Sequence, residues 1–276
     1  RWIRIKVHLD GLVHACENLS LGILDRFILK MLYTQRMLHL LKRILRKCLP
    51  SKSLRYGNMN HTRRDSATVL KSFVGAFAQR RFVCELAALQ YFKGKLPVPE
   101  LVSQDASKLT LQTKFIPGIH AADVKDDAAM LDVQYACGQY LKTIHSSPVS
   151  ELSSRIIGTG SVVLHGDFTV RNILVSKADR KIVAILDWEK MRLGEPQRDL
   201  SWYEWILRMS CQVDRRHLKS FYEGYGSDFP SWEVRREGIL VFLQSAVDDA
   251  VSRNDSPGMT YWKEQYEIGE TLQELD

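Results

Sequence analysis

Residues 163–175 read VLHGDFTVRNILV, so His165, Asp167 and Asn172 stand between two short apolar runs. A chain building only a strand there would keep to Val, Ile and Leu, because Asp and Asn are depleted in strand interiors. Twenty residues after Asp167 comes Asp187, in VAILDWE. Residues 173–175 and 182–186 are apolar and a polar turn at 177–181 separates them, a pattern that predicts a β-hairpin. One polar group then marks the entry of the first strand and another the exit of the second. Two carboxylates and an amide oxygen at such ends converge on a small volume. All are hard oxygen groups, which suit Mg²⁺, an ion that keeps several waters and takes further ligands from substrate phosphates. The plain alternative is that Asp167, Asn172 and Asp187 only cap turns, positions that Asp and Asn favour.

At 276 residues the chain has room for one large domain or two lobes, each with its own core. The net charge of +7 is unevenly spread: 21 Lys and Arg face 7 Asp and Glu over residues 1–118, and 18 face 25 over 119–276. A basic first half and an acidic second half suit two lobes with different partners, phosphate-rich on one side and cationic on the other; an uneven but solvated surface is the alternative. Five scattered cysteines without a C-x-x-C pair argue against a zinc site or a disulfide framework and for a reducing, cytoplasmic setting. No run reaches the roughly 18 apolar residues of a membrane span. The sequence opens on Arg1, so the native start is expected upstream.

Along the chain, residues 3–9 alternate apolar and basic like a short strand, and residues 20–49 turn helical, with Leu24, Phe27, Ile28 and Met31 at three- and four-residue intervals among many Lys and Arg. Such a basic amphipathic helix either packs on its own domain or makes peripheral contact with an anionic membrane. Residues 58–62 read as a hairpin loop after Gly57, 67–74 as a strand, 80–91 as a helix, 109–116 as a strand and 126–145 as a helix. Beyond 196 the pattern is mostly helical. The plan is therefore a basic extension over 1–50, a small β-rich lobe with connector over 51–118, and a larger helical lobe over 119–276.

The segment His165-Gly166-Asp167 through Asn172, followed by Ile185-Leu186-Asp187-Trp188-Glu189, resembles the aminoglycoside phosphotransferase and choline kinase family. That family carries H-G-D-x-x-x-x-N and then I-D-W/F-E, where protein kinases have H-x-D-x-x-x-x-N and D-F-G. Gly194-Glu195-Pro196-Gln197-Arg198-Asp199-Leu200 matches the family's later G-x-P-x-x-D-L, and Leu141 to His145 resembles its helix ending in L-x-x-I/L-H. The resemblance implies an α+β, protein-kinase-like two-lobed fold and an ATP-dependent phosphotransferase acting on a hydroxyl of a small molecule. Asp167 would be the catalytic group on the substrate hydroxyl, and Asn172 and Asp187 would hold Mg²⁺. His165 would brace the loop, Asp199 would tie it to the helical lobe, and Glu189 would be either a supporting group or a solvated surface acid.

For the small lobe the same resemblance implies that Lys71 binds ATP phosphates and that Glu85 pairs with it; an ordinary surface ion pair is the alternative. Thr113, Lys114 and Phe115 would offer backbone groups to adenine. No G-x-G-x-x-G covers the nucleotide; Gly57 to Thr62 stands there, with Asn60 or Thr62 helping to cradle phosphates.

The acceptor is less defined. Asp248, Asp249, Glu233 and Glu237 are candidates to face a cation, and Trp202, Tyr203 and Trp205 to form an aromatic wall, against the plain readings of a solvated acidic face and of core aromatics. A sugar, lipid-precursor or amino-alcohol kinase remains open. So does a non-catalytic, kinase-like binding module docked to a membrane or partner by residues 20–49. No nucleic-acid-binding motif is present.

Overall fold

The computed structural model describes residues 60–211 and 213–275; the strand expected at 3–9 and the basic helix at 20–49 lie outside them. β1 (His61–Asp65), β2 (Thr68–Ser72), β3 (Leu101–Asp105) and β4 (Thr110–Lys114) form an antiparallel sheet in the order β1-β2-β4-β3. Helix α1 (Ala78–Tyr91) closes one face of it. Ala78, Phe82 and Leu89 lie at helical spacing on one stripe and bury against Leu111 of β4 and Phe73 at the exit of β2. The rings of Phe73 and Phe82 meet edge to face at 5.9 Å.

The larger lobe holds two short sheets and the remaining helices. β5 (Ile119–His120), β7 (Ile173–Val175) and β8 (Ile182–Ile185) pair in the order β5-β7-β8, while β6 (Val162–Leu164) pairs with β9 (Arg192–Gly194). Around them lie α2 (Asp127–His145), α3 (Gln197–Ser210), α4 (Arg215–Tyr225), α5 (Trp232–Ser252) and α6 (Ser256–Thr271). Asp126 starts α2 by accepting from the Ala129 amide at 2.7 Å, and Asp255 starts α6 by accepting from Gly258 at 3.0 Å. α2 and α4 approach closely: a Cβ on Gly138 would overlap the Phe221 carbonyl, and one on Gly224 the Tyr135 carbonyl. Each glycine costs its helix roughly 0.5–1 kcal/mol in propensity, offset by the backbone contact it permits. Tyr203 of α3 stacks on Phe221 at 4.1 Å and helps bind α3 and α4 into one core.

The two-lobed α+β plan expected from the sequence is the fold observed. Three local readings change. His61 and Thr62 belong to β1 rather than to a hairpin loop, and the β1–β2 turn falls at Ser66, whose φ is +43°. β3 was not anticipated, because Val102, Ser103 and Gln104 are all exposed on an edge strand and leave no apolar alternation to read. β9 escaped for a similar reason: three residues, one of them Gly, carry little signal.

Candidate active site

β2 delivers Lys71, which sits in register between Thr62 of β1 and Leu111 of β4. Its ammonium lies 2.5 Å from Oε2 of Glu85 on α1, 2.6 Å from Oδ1 of Asp187 and 3.1 Å from Oε2 of Glu189. One cation thus joins the small lobe to the end of the β7–β8 hairpin. Burial pulls the Lys71 ammonium down, but the three carboxylates outweigh it and keep it charged well above the ordinary lysine range. Burial pushes Glu85 up, and Asp187 and Glu189 add to this against the pull of Lys71, to about 7. Desolvation also opposes the Asp187 charge, yet Lys71 and Lys190 hold that carboxyl below its ordinary range. Glu189 is buried rather than solvated, and it also takes Arg81 at 3.5 Å and the Asn60 amide. Asn60 in turn accepts from Arg81 at 2.9 Å.

Asp187 closes β8 in a left-handed conformation, φ +66° and ψ +60°. Asp tolerates that region better than most residues, and such backbone concentrates at functional sites. The turn sends Trp188 into the core, where its indole N–H donates to Ile185 O at 2.9 Å and its ring packs on His165 at 4.4 Å.

The loop carrying Asp167 is held from below by Asp199. Its carboxylate accepts from the His165 amide at 2.8 Å and the Gly166 amide at 3.0 Å, and His145 lies 3.2 Å away. Gly166 has φ +80°, and a Cβ there would overlap the Lys190 carbonyl. Buried His165 accepts from the Asp167 amide through Nδ1 at 3.2 Å, and its Nε2 lies 3.2 Å from Leu186 O. A neutral ring with its proton on Nε2 satisfies both contacts, and burial pulls this imidazole below its ordinary range. Asn172 donates to Asp167 O at 2.9 Å and accepts from the Leu186 amide at 2.8 Å. The hairpin pair Ile173–Ile185 therefore sets Asn172 next to the backbone that leads into Asp187.

Asp167 has a partner on each carboxylate oxygen. Trp202 of α3 donates its indole N–H to Oδ1 at 2.8 Å, and Lys190 reaches Oδ2 at 3.0 Å. Desolvation lowers Lys190, but Asp167, Asp187 and Glu189 together raise it. The structure so joins Lys71, Glu85 and Asp187 in one cluster, with Asn60 at its edge through Glu189, and Asn172 and Asp167 in one loop linked to that cluster through Lys190. Among the backbone groups expected to face adenine, the amides are already paired. The Lys114 amide donates to Glu100 O at 2.9 Å and the Phe115 amide to Ala67 O at 2.7 Å, while Thr113 is paired with Val69 and Leu101 inside the sheet. Their side chains are engaged elsewhere: Lys114 pairs with Glu100 at 2.6 Å and Arg64 covers the Phe115 ring at 3.5 Å.

Sequence reasoning did not assign Lys190 or Arg81, which lie beside motif residues without being part of the motif. Of the expected aromatic wall only Trp202 reaches the site; Tyr203 and Trp205 are core residues. Glu233, Glu237 and Asp248 line a groove of about 850 Å³ between α5 and α6.

Comparison with known proteins agrees with this geometry. Residues 158–237 match the phosphotransferase enzyme family. The GDP complex of wild-type aminoglycoside 2'-phosphotransferase-IIIa superposes with a TM-score of 0.65 at 14% identity, covering 84% of this chain and 98% of that one. A choline/ethanolamine kinase family protein from Mesorhizobium loti gives a TM-score of 0.57 at 14% identity, covering 83% and 92%. Among curated proteins, a probable acyl-CoA dehydrogenase, IBR3, of Arabidopsis thaliana is 28% identical over 69 residues; the match spans 25% of this chain and only 8% of that protein. The chain thus has the fold shared by aminoglycoside phosphotransferases and choline kinases, and its stretch 158–237 bears the sequence of the phosphotransferase enzyme family.

Proposed function

We propose that the protein is an ATP-dependent small-molecule kinase that moves the γ-phosphoryl group to an acceptor hydroxyl. The observation that carries this reading is the 2.6 Å contact between Lys71 and Asp187, which supports assigning the first to the nucleotide phosphates and the second to the metal. A solved neighbour with this fold holds GDP, which supports a purine nucleotide in the same cleft.

The donor set fits Mg²⁺. Glu85, Asp187 and Glu189 each offer an oxygen within 4.8 Å of the others, with no nitrogen or sulfur ligand in the group. Asp187 and Asn172, backed by Glu189, would hold the ion, which supplies neutralisation of the charge gathering on the transferred group. Lys71 binds the nucleotide phosphates, and Glu85 and Glu189 fix its ammonium. Asp167 orients the acceptor hydroxyl and takes its proton, with Trp202 and Lys190 fixing the carboxylate plane. Asn172 and Asp199 keep the loop's backbone in place beneath it.

The test is ADP release and phosphomonoester formation with Mg-ATP, screened across sugars, amino acids, choline-like amines and aminoglycosides, with Mg-GTP as a second donor. Asp167→Asn is expected to remove turnover by about 10²–10⁴-fold while calorimetry still registers Mg-dependent nucleotide binding. Wild-type turnover in folded Asp167→Asn, or nucleotide binding indifferent to EDTA, would refute the reading.

A further inference from the structure

Lys190, Arg192 and Arg198 lie on the stretch that runs from Asp187 into α3, and among the described residues the two arginines enter no ion pair. Lys190 is already paired with Asp167 at 3.0 Å. Two residues further, Arg192 on β9 lies opposite Leu164, the residue that leads into the His165–Asp167 loop. Its Nε is buried without a hydrogen-bond partner, and among the described residues Arg192 enters no ion pair. Arg198, in the first turn of α3, donates to Ser245 Oγ at 3.2 Å and lies 5.5 Å from the Phe242 ring. One turn along the same face, Trp202 stacks on that ring at 4.9 Å and donates to Asp167. Arg198 and Trp202 thus flank Phe242, and Trp202 links that ring to Asp167.

Burial together with the charge of Arg192 pulls Arg198 below the ordinary arginine range, as expected of neighbouring cations. Two carboxylates lie near enough to count. Asp199 spends its oxygens on the His165 and Gly166 amides and on His145, and Asp249 is exposed on α5. Neither forms an ion pair with Arg192 or Arg198. A buried guanidinium N–H without a partner, such as Nε of Arg192, is costly, and the planar donor fork of arginine matches carboxylate and phosphate oxygens.

We propose that the acceptor is anionic: a hydroxyl compound bearing a carboxylate or phosphate group, gripped by Arg192 and Arg198 while its hydroxyl faces Asp167. This deepens the kinase reading and rests on it. In the step, the acceptor oxygen forms a bond to the γ-phosphorus as the bond from that phosphorus to the bridging oxygen breaks. The hydroxyl proton passes to Asp167, and ADP leaves with the bridging electron pair. Of the four acids expected to receive a cationic acceptor, Glu233, Glu237 and Asp248 line the α5–α6 groove, and Asp249 is the exposed acid whose charge reaches Arg198.

The experiment compares glucose, glucosamine, gluconate and glucose 6-phosphate as acceptors with Mg-ATP. In parallel, calorimetry follows binding of gluconate and glucose 6-phosphate to protein saturated with Mg-ADP. Wild type, Arg192→Met, Arg198→Met and the charge-keeping Arg192→Lys are compared, with circular dichroism confirming that each is folded. The expected result is that at least one anion binds, that each Met variant weakens it about tenfold or more, and that Arg192→Lys recovers part of the loss. A response to gluconate alone assigns a carboxylate, and to glucose 6-phosphate alone a phosphate. Preferential turnover of glucose or glucosamine overturns the anionic acceptor and leaves the kinase intact. Anion binding equal in wild type and both Met variants, or absent from all, overturns it as well. Arginine-dependent anion binding without ADP release on any acceptor would instead count against the kinase reading and leave the anion site standing.

Discussion

The indole N–H of Trp202 donates to Oδ1 of Asp167 at 2.8 Å, across the gap between α3 and the loop that carries Asp167. Trp202 is only partly buried, and its ring is held by stacking on Phe242 at 4.9 Å. The arrangement fixes one face of the carboxylate while Lys190 fixes the other. Trp202→Phe keeps the ring in its stack and removes the donor alone. Hydrogen bonds to charged groups contribute about 1.5–3 kcal/mol, so kcat should fall by roughly ten- to a hundredfold. The KM for nucleotide should stay within about twofold, because Trp202 does not touch the Lys71 cluster. Steady-state kinetics decide it; unchanged kcat would mean that the indole N–H orients nothing.

Gly166 sits at φ +80° with the Lys190 carbonyl where a Cβ would be. Gly166→Ala therefore meets both a left-handed backbone, costing roughly 1–2 kcal/mol, and a backbone overlap that no rotamer relieves. A loss of at least about 2 kcal/mol is expected, or about 4 °C or more in Tm for a chain of this size. Because Asp199 grips the same peptide, the lost stability should come with lost turnover. Thermal melts of wild type and variant check the first part; equal Tm values would contradict the observed loop.

How much of this was legible beforehand depended on whether a residue acts through local order or through distant packing. Asp167, Asn172 and Asp187 announce themselves by breaking apolar strands at fixed intervals, and a polar residue in such a place needs a local reason. Lys71 and Glu85 follow from their order along the chain, and they meet at 2.5 Å. Trp202 is different. Three aromatics within four residues of one helix look alike in sequence, yet successive residues point about 100° apart. Only packing decided that Tyr203 and Trp205 enter the core while Trp202 faces Asp167. Glu189 was ambiguous between surface and interior because its partners Lys71, Arg81 and Asn60 lie more than a hundred residues earlier. The amides of Lys114 and Phe115, two of the backbone groups expected to face adenine, are bonded to Glu100 and Ala67, residues that the local pattern does not point to.

Lys71 is the only cation within ion-pair distance of Glu85 and Asp187 among the described residues. Lys71→Met leaves these two and the mostly buried Glu189 with Arg81 and the more distant Lys190 to offset three charges. Removing one partner of a buried ion pair typically costs about 3–5 kcal/mol, and a loss of that order should appear in urea unfolding. Mg²⁺ should then raise the Tm of Lys71→Met more than that of wild type, compared with KCl of equal ionic strength, because the ion can take the vacated position among three oxygens. An equal Mg²⁺ effect on both proteins would show that these carboxylates do not bind the ion.

Glu85 carries a pH signature of its own. Its carboxyl is raised from an ordinary 4.5 to about 7, chiefly by burial and then by Asp187 and Glu189 against Lys71. A carboxyl raised on folding binds its proton more tightly in the folded chain than in the unfolded one. Below 4.5 both states are protonated and the group contributes nothing to the difference; between 4.5 and about 7 the unfolded chain ionises more readily, so this group lowers stability as pH rises. Asp187 is held below its ordinary range and acts with the opposite sign: its contribution is present above that range and lost as pH falls through the depressed value. The two separate in a Glu85→Gln variant. The fall of that protein's Tm from pH 5 to pH 7 should be shallower than in wild type, because the titrating carboxyl is gone while the rest of the cluster remains. Melting curves of both proteins at half-unit pH steps measure the slopes. Parallel curves would mean that Glu85 is ionised throughout and that Lys71 dominates its burial.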